Sequence, residues 1–189
     1  MAMPQTWPRQ GEWTVEEMWR LPDTGDRFEV IDGVLHVTPS PRHIHQDAAS
    51  AMHRVLHDYL ATQRVGWARQ APADVVFSAR RGVQPDVFVA PLLHGRRPAG
   101  WEEIGHLLLA VEVLSPFTAE YDRVEKRRLY QQHADEYWIV DLDARHIERW
   151  RPEDTRPEVI EETLEWSPAG ADAPLVLDVR AFFREVLDN

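Results

Sequence analysis

The chain has 189 residues, no cysteine and a formal net charge of −11, from 21 basic and 32 acidic side chains. This length suits one domain with a sizeable core, and the lack of cysteine excludes disulfides, thiolate nucleophiles and zinc–thiolate sites. The acidic balance argues against a protein that coats nucleic acid by bulk electrostatics, although a local basic groove or a metal ion could still bring in a phosphate. The longest aliphatic run is too short to span a bilayer, so we expect a soluble, cytoplasmic protein with no membrane contact.

The first predicted elements are a short helix and a hairpin. Thr14 and Glu17 have the spacing of a capping box, which predicts the start of a helix. Residues 28–31 and 34–37 have strand character on either side of Asp32-Gly33, a dipeptide that suits a type I′ turn. We therefore predict an N-terminal β-hairpin.

A helix and several strands are predicted next. Apolar residues at helical spacing between Ala48 and Tyr59 indicate a core-packing helix of about five turns. Strand-like stretches follow at 74–77 and 85–90, separated by an arginine-containing turn at 78–82. Proline and glycine at 91–100 predict a loop.

The stretch 107–116 has the pattern of a buried strand that contains one carboxylate, Glu112. A helix is predicted over 119–133, followed by strands at 137–142 and 146–150. The order of strand, helix, strand and hairpin predicts a mixed sheet with helices packed on it, in the α/β or α+β class.

The C-terminal part is acidic and less regular from Arg151 to Pro168. We expect a single domain over 1–189, with the helix and hairpin at about 13–38, the core at about 43–150, and a closing strand and helix at about 174–187.

Four residues have the chemistry of a metal-assisted phosphodiester hydrolase: Glu29, Asp86, Glu112 and Lys126. An ionised Glu112 among apolar neighbours costs several kcal/mol unless a cation or hydrogen bonds compensate it, which leaves a metal ligand or a paired structural carboxylate as alternatives. Carboxylates suit Mg²⁺ or Mn²⁺, and a positioned ammonium could orient the attacking water.

Five ordered blocks of the sequence resemble one family. They are Phe28-Glu29-Val30-Ile31-Asp32-Gly33, Gln84-Pro85-Asp86-Val87, Val111-Glu112-Val113-Leu114-Ser115-Pro116-Phe117-Thr118, Tyr121-Asp122-Arg123 with Lys126, and Glu136-Tyr137-Trp138-Ile139-Val140-Asp141. Together they look like the Uma-type family of restriction-endonuclease-like proteins, which is similar to the PD-(D/E)xK nucleases. The resemblance runs from about Trp13 to Val186.

The resemblance implies a restriction-endonuclease-like core, a mixed β-sheet flanked by helices. It implies Asp86 and Glu112 as ligands of Mg²⁺ or Mn²⁺, together with the backbone carbonyl of Val113. It also implies that Glu29 supplies a further carboxylate. Glu29 nevertheless precedes a tight turn on a strand that cannot be oriented from sequence, so solvent exposure is the competing expectation.

The position two residues after Glu112, where the general nuclease motif has lysine, is Leu114. Lys126 is the only lysine of the chain, and we expect it to supply the missing amine from the following helix. Asp122, Lys126 and Tyr130 form an i, i+4, i+8 row, so Asp122 or Tyr130 could hold the ammonium. The alternative is an ordinary surface ion pair between Asp122 and Lys126.

His45 is a possible accessory residue. It begins the helix after the hairpin, where it could approach the site, contact a phosphate or simply be solvated.

We therefore predict a metal-dependent endonuclease that hydrolyses DNA and acts as a homodimer, since cleavage of both strands suits two sites. An RNA or branched substrate stays open, because specificity would lie in loops and groove shape. The alternative is a catalytically silent nuclease-fold module for DNA binding or protein interaction, motivated by Leu114 and the net charge of −11.

Overall fold

The computed structural model describes residues 9–100, 103–116 and 118–188; Phe117 of the third sequence block lies outside them. The helical elements are α1 (Val15–Met18), α2 (His43–Gln63), α3 (Ala119–Tyr121), a π-helical segment (Asp122–Lys126), α4 (Arg127–His133) and α5 (Val179–Leu187). The strands are β1 (Arg27–Ile31), β2 (Val34–Thr38), β3 (Gly66–Gln70), β4 (Val75–Ser78), β5 (Arg81–Val83), β6 (Val87–Pro91), β7 (Leu109–Val113), β8 (Tyr137–Asp141), β9 (His146–Trp150), β10 (Glu158–Ile160), β11 (Thr163–Trp166) and β12 (Leu175–Asp178).

A six-stranded mixed sheet forms the main framework, with the strand order β10-β9-β8-β7-β6-β3. β7 and β8 run parallel, and the other neighbours are antiparallel. Every residue of β7 is buried, as expected for a strand that is covered on both faces. The predicted fold class, a mixed sheet flanked by helices, is confirmed.

Successive residues of the central strands face two different apolar clusters. Val111 and Trp138 point toward the cluster that contains residues of α2 and α5, whereas Ala110 and Ile139 point toward the cluster that contains residues of α4. Because side chains alternate along a strand, Glu112 shares the face of Ala110. The strand period therefore aims this carboxylate at the helical stretch that carries Lys126.

The N-terminal hairpin belongs to a second, antiparallel sheet with the order β2-β1-β5-β4. Asp32 and Gly33 have φ angles of 51° and 82°, the positive values that a type I′ turn needs. A Cβ atom on Gly33 would also come within 2.5 Å of the Gly11 carbonyl oxygen, so close packing requires glycine as well. Thr14 and Glu17 form the predicted capping box at the start of α1.

Three details differ from the sequence predictions. β3 and β5 were not predicted, because β3 lacks an apolar alternation and β5 is a three-residue strand with a central glycine that is held by pairing with β1 and β4. The stretch 151–168 contains β10 and β11, whose pairing partners lie on other elements. The helix predicted over 119–133 is interrupted by the π-helical segment.

No helix within the described ranges is long and apolar enough to cross a membrane.

Candidate active site

A cavity of about 490 Å³ is lined by residues of β1, β7 and the π-helical segment and by Asp86, directly before β6. Glu29, Asp86, Glu112 and Lys126 all line it, and each is at most 2% exposed. The structure thus brings the four predicted site residues together. The expectation of a solvent-exposed Glu29 is wrong, because β1 turns this side chain toward the cavity.

Asp86 and Glu112 are placed by strand pairing. β6 and β7 are antiparallel with Val87 opposite Val111, so continuing the register by one residue sets Asp86 opposite Glu112. The backbone N–H of Val113 donates to Asp86 Oδ2 at 2.8 Å, which fixes the Asp86 carboxylate beside the end of β7.

Lys126 reaches the same point from the helical stretch. Its Nζ lies 2.7 Å from Glu112 Oε1, 3.1 Å from Glu29 Oε1 and 3.8 Å from Asp122 Oδ1. The Tyr130 hydroxyl donates to Glu112 Oε1 at 3.0 Å. The predicted row of Asp122, Lys126 and Tyr130 therefore faces the cavity cluster. A surface ion pair between Asp122 and Lys126 is excluded, because both residues are 2% exposed.

The π-helical segment that carries Asp122 and Lys126 is stabilised from the sheet. The Tyr137 hydroxyl, on β8, donates to the backbone carbonyl of Asp122 at 3.1 Å, and both groups are buried. Single π-helical turns inside α-helices are frequent at functional sites. No local sequence pattern predicted this π-helical turn.

Arg27 is the site residue that sequence reasoning missed. Its Nη2 donates to Asp86 Oδ1 at 2.8 Å, and its Nη1 donates to the Gln84 carbonyl at 3.2 Å and lies 3.9 Å from Glu112 Oε2. Arg27 precedes Glu29 by two residues on β1, so both side chains share one face. Once Glu29 is placed in the site, that spacing is the signal that could have identified Arg27.

His45 lies in the site, which is one of the three alternatives predicted for it. Its Nε2 lies 3.0 Å from Asp86 Oδ2, and α2 buries the residue in its first turn. His45 and the Val113 N–H thus share one oxygen of Asp86, and Arg27 contacts the other.

The charges around Asp86 favour its ionised form. Burial alone would raise the pKa of Asp86, but the hydrogen bond from His45 and the positive charge of Arg27 hold this pKa well below its usual range. Asp86 is therefore a carboxylate at neutral pH.

Glu112, Asp122 and Lys126 respond to burial and to one another. Burial raises the pKa of Glu112, and nearby carboxylates add to this effect while Lys126 opposes it. Burial likewise raises the pKa of Asp122, to about 6. Burial would lower the pKa of Lys126, yet the surrounding carboxylates, led by Glu112, raise it, so the amine is a charged ammonium.

These residues fit a divalent cation. Four acidic side chains, those of Glu29, Asp86, Glu112 and Asp122, line the cavity, and among the described residues Arg27 and Lys126 are the arginine and lysine that form ion pairs with them. The cluster therefore contains more acidic than basic side chains. In addition, Glu29 Oε2 is buried with no hydrogen-bond partner among the described residues. Oxygen donors of this kind suit Mg²⁺ or Mn²⁺.

A second acidic group was not predicted. Asp141, His146 and Glu148, on the hairpin of β8 and β9, have side-chain ligand atoms within 4.8 Å of one another. Arg123 already contacts this group: its Nε donates to Glu148 at 2.8 Å and its Nη2 donates to Asp141 at 2.9 Å. A guanidinium thus supplies the positive charge that these carboxylates need.

Comparison with known families decides the assignment of the chain. The model of the Uma2 family, described as "Putative restriction endonuclease", matches residues 15–179, which is most of the sequence. The chain belongs to the Uma2 family. The resemblance recognised from the five sequence blocks is thereby confirmed, and the matched range includes every predicted site residue of this Uma2 chain.

A solved structure supports the fold. The chain is similar to "a putative nuclease belonging to DUF820 from Anabaena variabilis ATCC 29413", with a TM-score of 0.74 and 22% sequence identity, over 93% of this chain and 99% of that one. At this identity the likeness concerns the fold. No curated protein matches the chain significantly.

Proposed function

We propose that this Uma2 protein is a Mg²⁺- or Mn²⁺-dependent endonuclease that hydrolyses phosphodiester bonds of DNA. The observation that carries the proposal is the group of buried carboxylates around one cavity, with the Lys126 ammonium held among them. Such a group is costly to bury and is characteristic of functional sites. Membership of a family described as restriction endonucleases points to the reaction class.

Asp86, Glu112 and the backbone carbonyl of Val113 would hold the metal. The oxygens left for the metal are Asp86 Oδ1, which accepts a hydrogen bond from Arg27, and Glu112 Oε2, because the other oxygen of each carboxylate is bound by fixed donors. When bound, the cation supplies Lewis-acid chemistry, which activates water and neutralises charge on the phosphate.

Lys126 serves as a charged donor in this proposal. Its raised pKa keeps a proton on Nζ, so it orients the attacking water and stabilises negative charge on the phosphate, and it does not act as the base. Glu29 and Glu112 hold the ammonium between them. Tyr130 fixes Glu112 through its hydroxyl, and Asp122 adds a further buried carboxylate beside Lys126.

Cleavage of supercoiled plasmid in Mg²⁺, Mn²⁺ or EDTA tests the proposal. We expect divalent-dependent nicking or linearisation that falls by at least about 100-fold in Asp86→Asn, Glu112→Gln and Lys126→Met. Asp58→Asn, an exposed carboxylate on α2, is the matched control and should keep its activity. Unchanged cleavage in the three site variants would contradict the assignment.

The same preparation tests the accessory proposals. DNA binding without cleavage or divalent binding would indicate the silent module in place of the enzyme. Parallel reactions on single-stranded RNA and branched DNA identify the substrate class. A homodimer in the cytoplasm, built from single-domain protomers, is part of the proposal, and a monomer in sedimentation experiments would contradict the dimer.

A further inference from the structure

The space between the two proposed metal ligands contains a guanidinium. Arg27 Nη2 contacts Asp86 Oδ1 at 2.8 Å, and its Nη1 lies 3.9 Å from Glu112 Oε2. The remaining oxygens have other partners: Asp86 Oδ2 faces Val113 N–H and His45, and Glu112 Oε1 faces Lys126 and Tyr130. The two oxygens left for a metal ion are therefore the two that face Arg27.

We propose that Arg27 is the internal counter-ion of the metal-free site and that it competes with the divalent cation for Asp86 Oδ1 and Glu112 Oε2. This inference rests on the metal site of the proposed function. A divalent ion bound to both oxygens would lie directly beside the Arg27 guanidinium. The two positive charges would repel each other strongly in a buried site, so the guanidinium cannot keep both contacts. Metal binding must therefore displace Arg27 from Asp86.

The surroundings of Arg27 allow that displacement. Its side chain is 15% exposed, compared with 3% for Asp86 and 2% for Glu112, and it lines the same cavity. One of its hydrogen bonds, to the Gln84 carbonyl, does not involve either carboxylate. The guanidinium can thus leave Asp86 and still have a backbone partner and space in the cavity. Arg27 stabilises the metal-free carboxylates and lowers their affinity for metal.

Mn²⁺ titration calorimetry on metal-stripped protein tests the inference. Arg27→Gln removes the charge and keeps a polar side chain, and we expect it to bind Mn²⁺ at least about tenfold more tightly than the wild type. Arg27→Lys has a shorter side chain without the planar guanidinium, and its Mn²⁺ affinity should lie between those of the wild type and Arg27→Gln. Arg42→Gln is the matched control: it removes one charge from an exposed cavity-lining arginine and should change the affinity by less than about threefold. An equal or weaker Mn²⁺ affinity in both Arg27 variants overturns the inference.

Thermal unfolding gives a second, activity-independent measurement. Metal-free Arg27→Gln should melt at a lower temperature than the wild type, and saturating Mn²⁺ should raise its melting temperature by more, because tighter binding stabilises the native state more. Arg27→Lys decides the matter if Arg27→Gln does not fold: an affinity at least threefold above the wild type supports the inference, and an unchanged or weaker one overturns it.

Two further variants separate this inference from the proposed function. Asp86→Asn and Glu112→Gln should each abolish Mn²⁺ binding in the wild-type background. Binding that depends on both carboxylates but not on Arg27 overturns the inference alone. Absence of Mn²⁺ binding in the wild type and in Arg27→Gln overturns the metal site and the inference together.

Discussion

Replacement of Lys126 by methionine should destabilise the fold by about 3–5 kcal/mol. The Lys126 side chain is 3% exposed, and its Nζ lies within 3.1 Å of oxygens of both Glu112 and Glu29. Methionine fills a similar volume, but it leaves these buried carboxylates without the ammonium that compensates them. Urea denaturation at pH 7, followed by circular dichroism, measures the loss.

The loss should depend on pH. Burial already raises the pKa of Glu112, and removal of Lys126 takes away the main charge that lowers it. Native Lys126→Met then holds a proton at pH values where an unfolded glutamate, with a pKa of 4.5, has lost it. The variant should therefore regain stability as the pH falls from 8 toward 5. In the wild type, the raised pKa of Lys126 means that its contribution is fully present below 10.5 and is lost only at higher pH.

Two comparisons make the prediction refutable. A double-mutant cycle of Lys126→Met with Glu112→Gln should give a coupling of about 1–3 kcal/mol, because the neutral amide no longer needs the ammonium. Arg54→Met breaks an exposed pair whose side chains are 56% and 55% exposed, and should cost less than about 1 kcal/mol. A Lys126→Met cost no larger than that of Arg54→Met, or the absence of coupling, would refute the electrostatic argument.

Three further substitutions test individual contacts by urea denaturation. Tyr130→Phe removes a buried hydrogen bond to Glu112 and should cost about 1–3 kcal/mol; a neutral effect would contradict the role of the hydroxyl. Gly82→Ala places a Cβ 2.7 Å from Val15 Cγ2 and should cost about 1–3 kcal/mol, with part of the loss recovered by Val15→Ala. Burial lowers the pKa of His133, whose ring stacks on Phe77, so stability is lost as the pH falls below 6.5. His133→Phe should therefore lose less stability than the wild type between pH 7 and pH 5, and equal losses would contradict the shift.

Residue chemistry and the family resemblance singled out the candidate site residues, and the period of single elements accounts for where two of them lie. Glu112 is the one carboxylate of a buried strand. It lies two residues after Ala110, and because side chains alternate along a strand, both lie on the same face of the sheet. The helical row of Lys126 and Tyr130 likewise follows from spacing alone. The placement of these side chains at the cavity follows from the geometry of one element at a time.

Residues that depend on the packing of two sheets could not be predicted in this way. Arg27 meets Asp86 because β1, in the four-stranded sheet, is placed against the start of β6, and the spacing between Arg27 and Glu29 indicates this contact only once Glu29 is itself placed in the site. Leu114 lies two residues after Glu112 and lines the same cavity, but its side chain is apolar, packs partly on the cluster of Ala110 and supplies no amine. The amine reaches the cavity from the helical stretch instead.

Anomalous scattering from a crystal soaked in Mn²⁺ tests the metal site most directly. We expect an anomalous peak for one Mn²⁺ ion at about 2.1 Å from both Asp86 Oδ1 and Glu112 Oε2. The Arg27 guanidinium should have moved away from Asp86. The absence of a peak at these oxygens, or a peak only at Asp141, His146 and Glu148, would contradict the proposed active site.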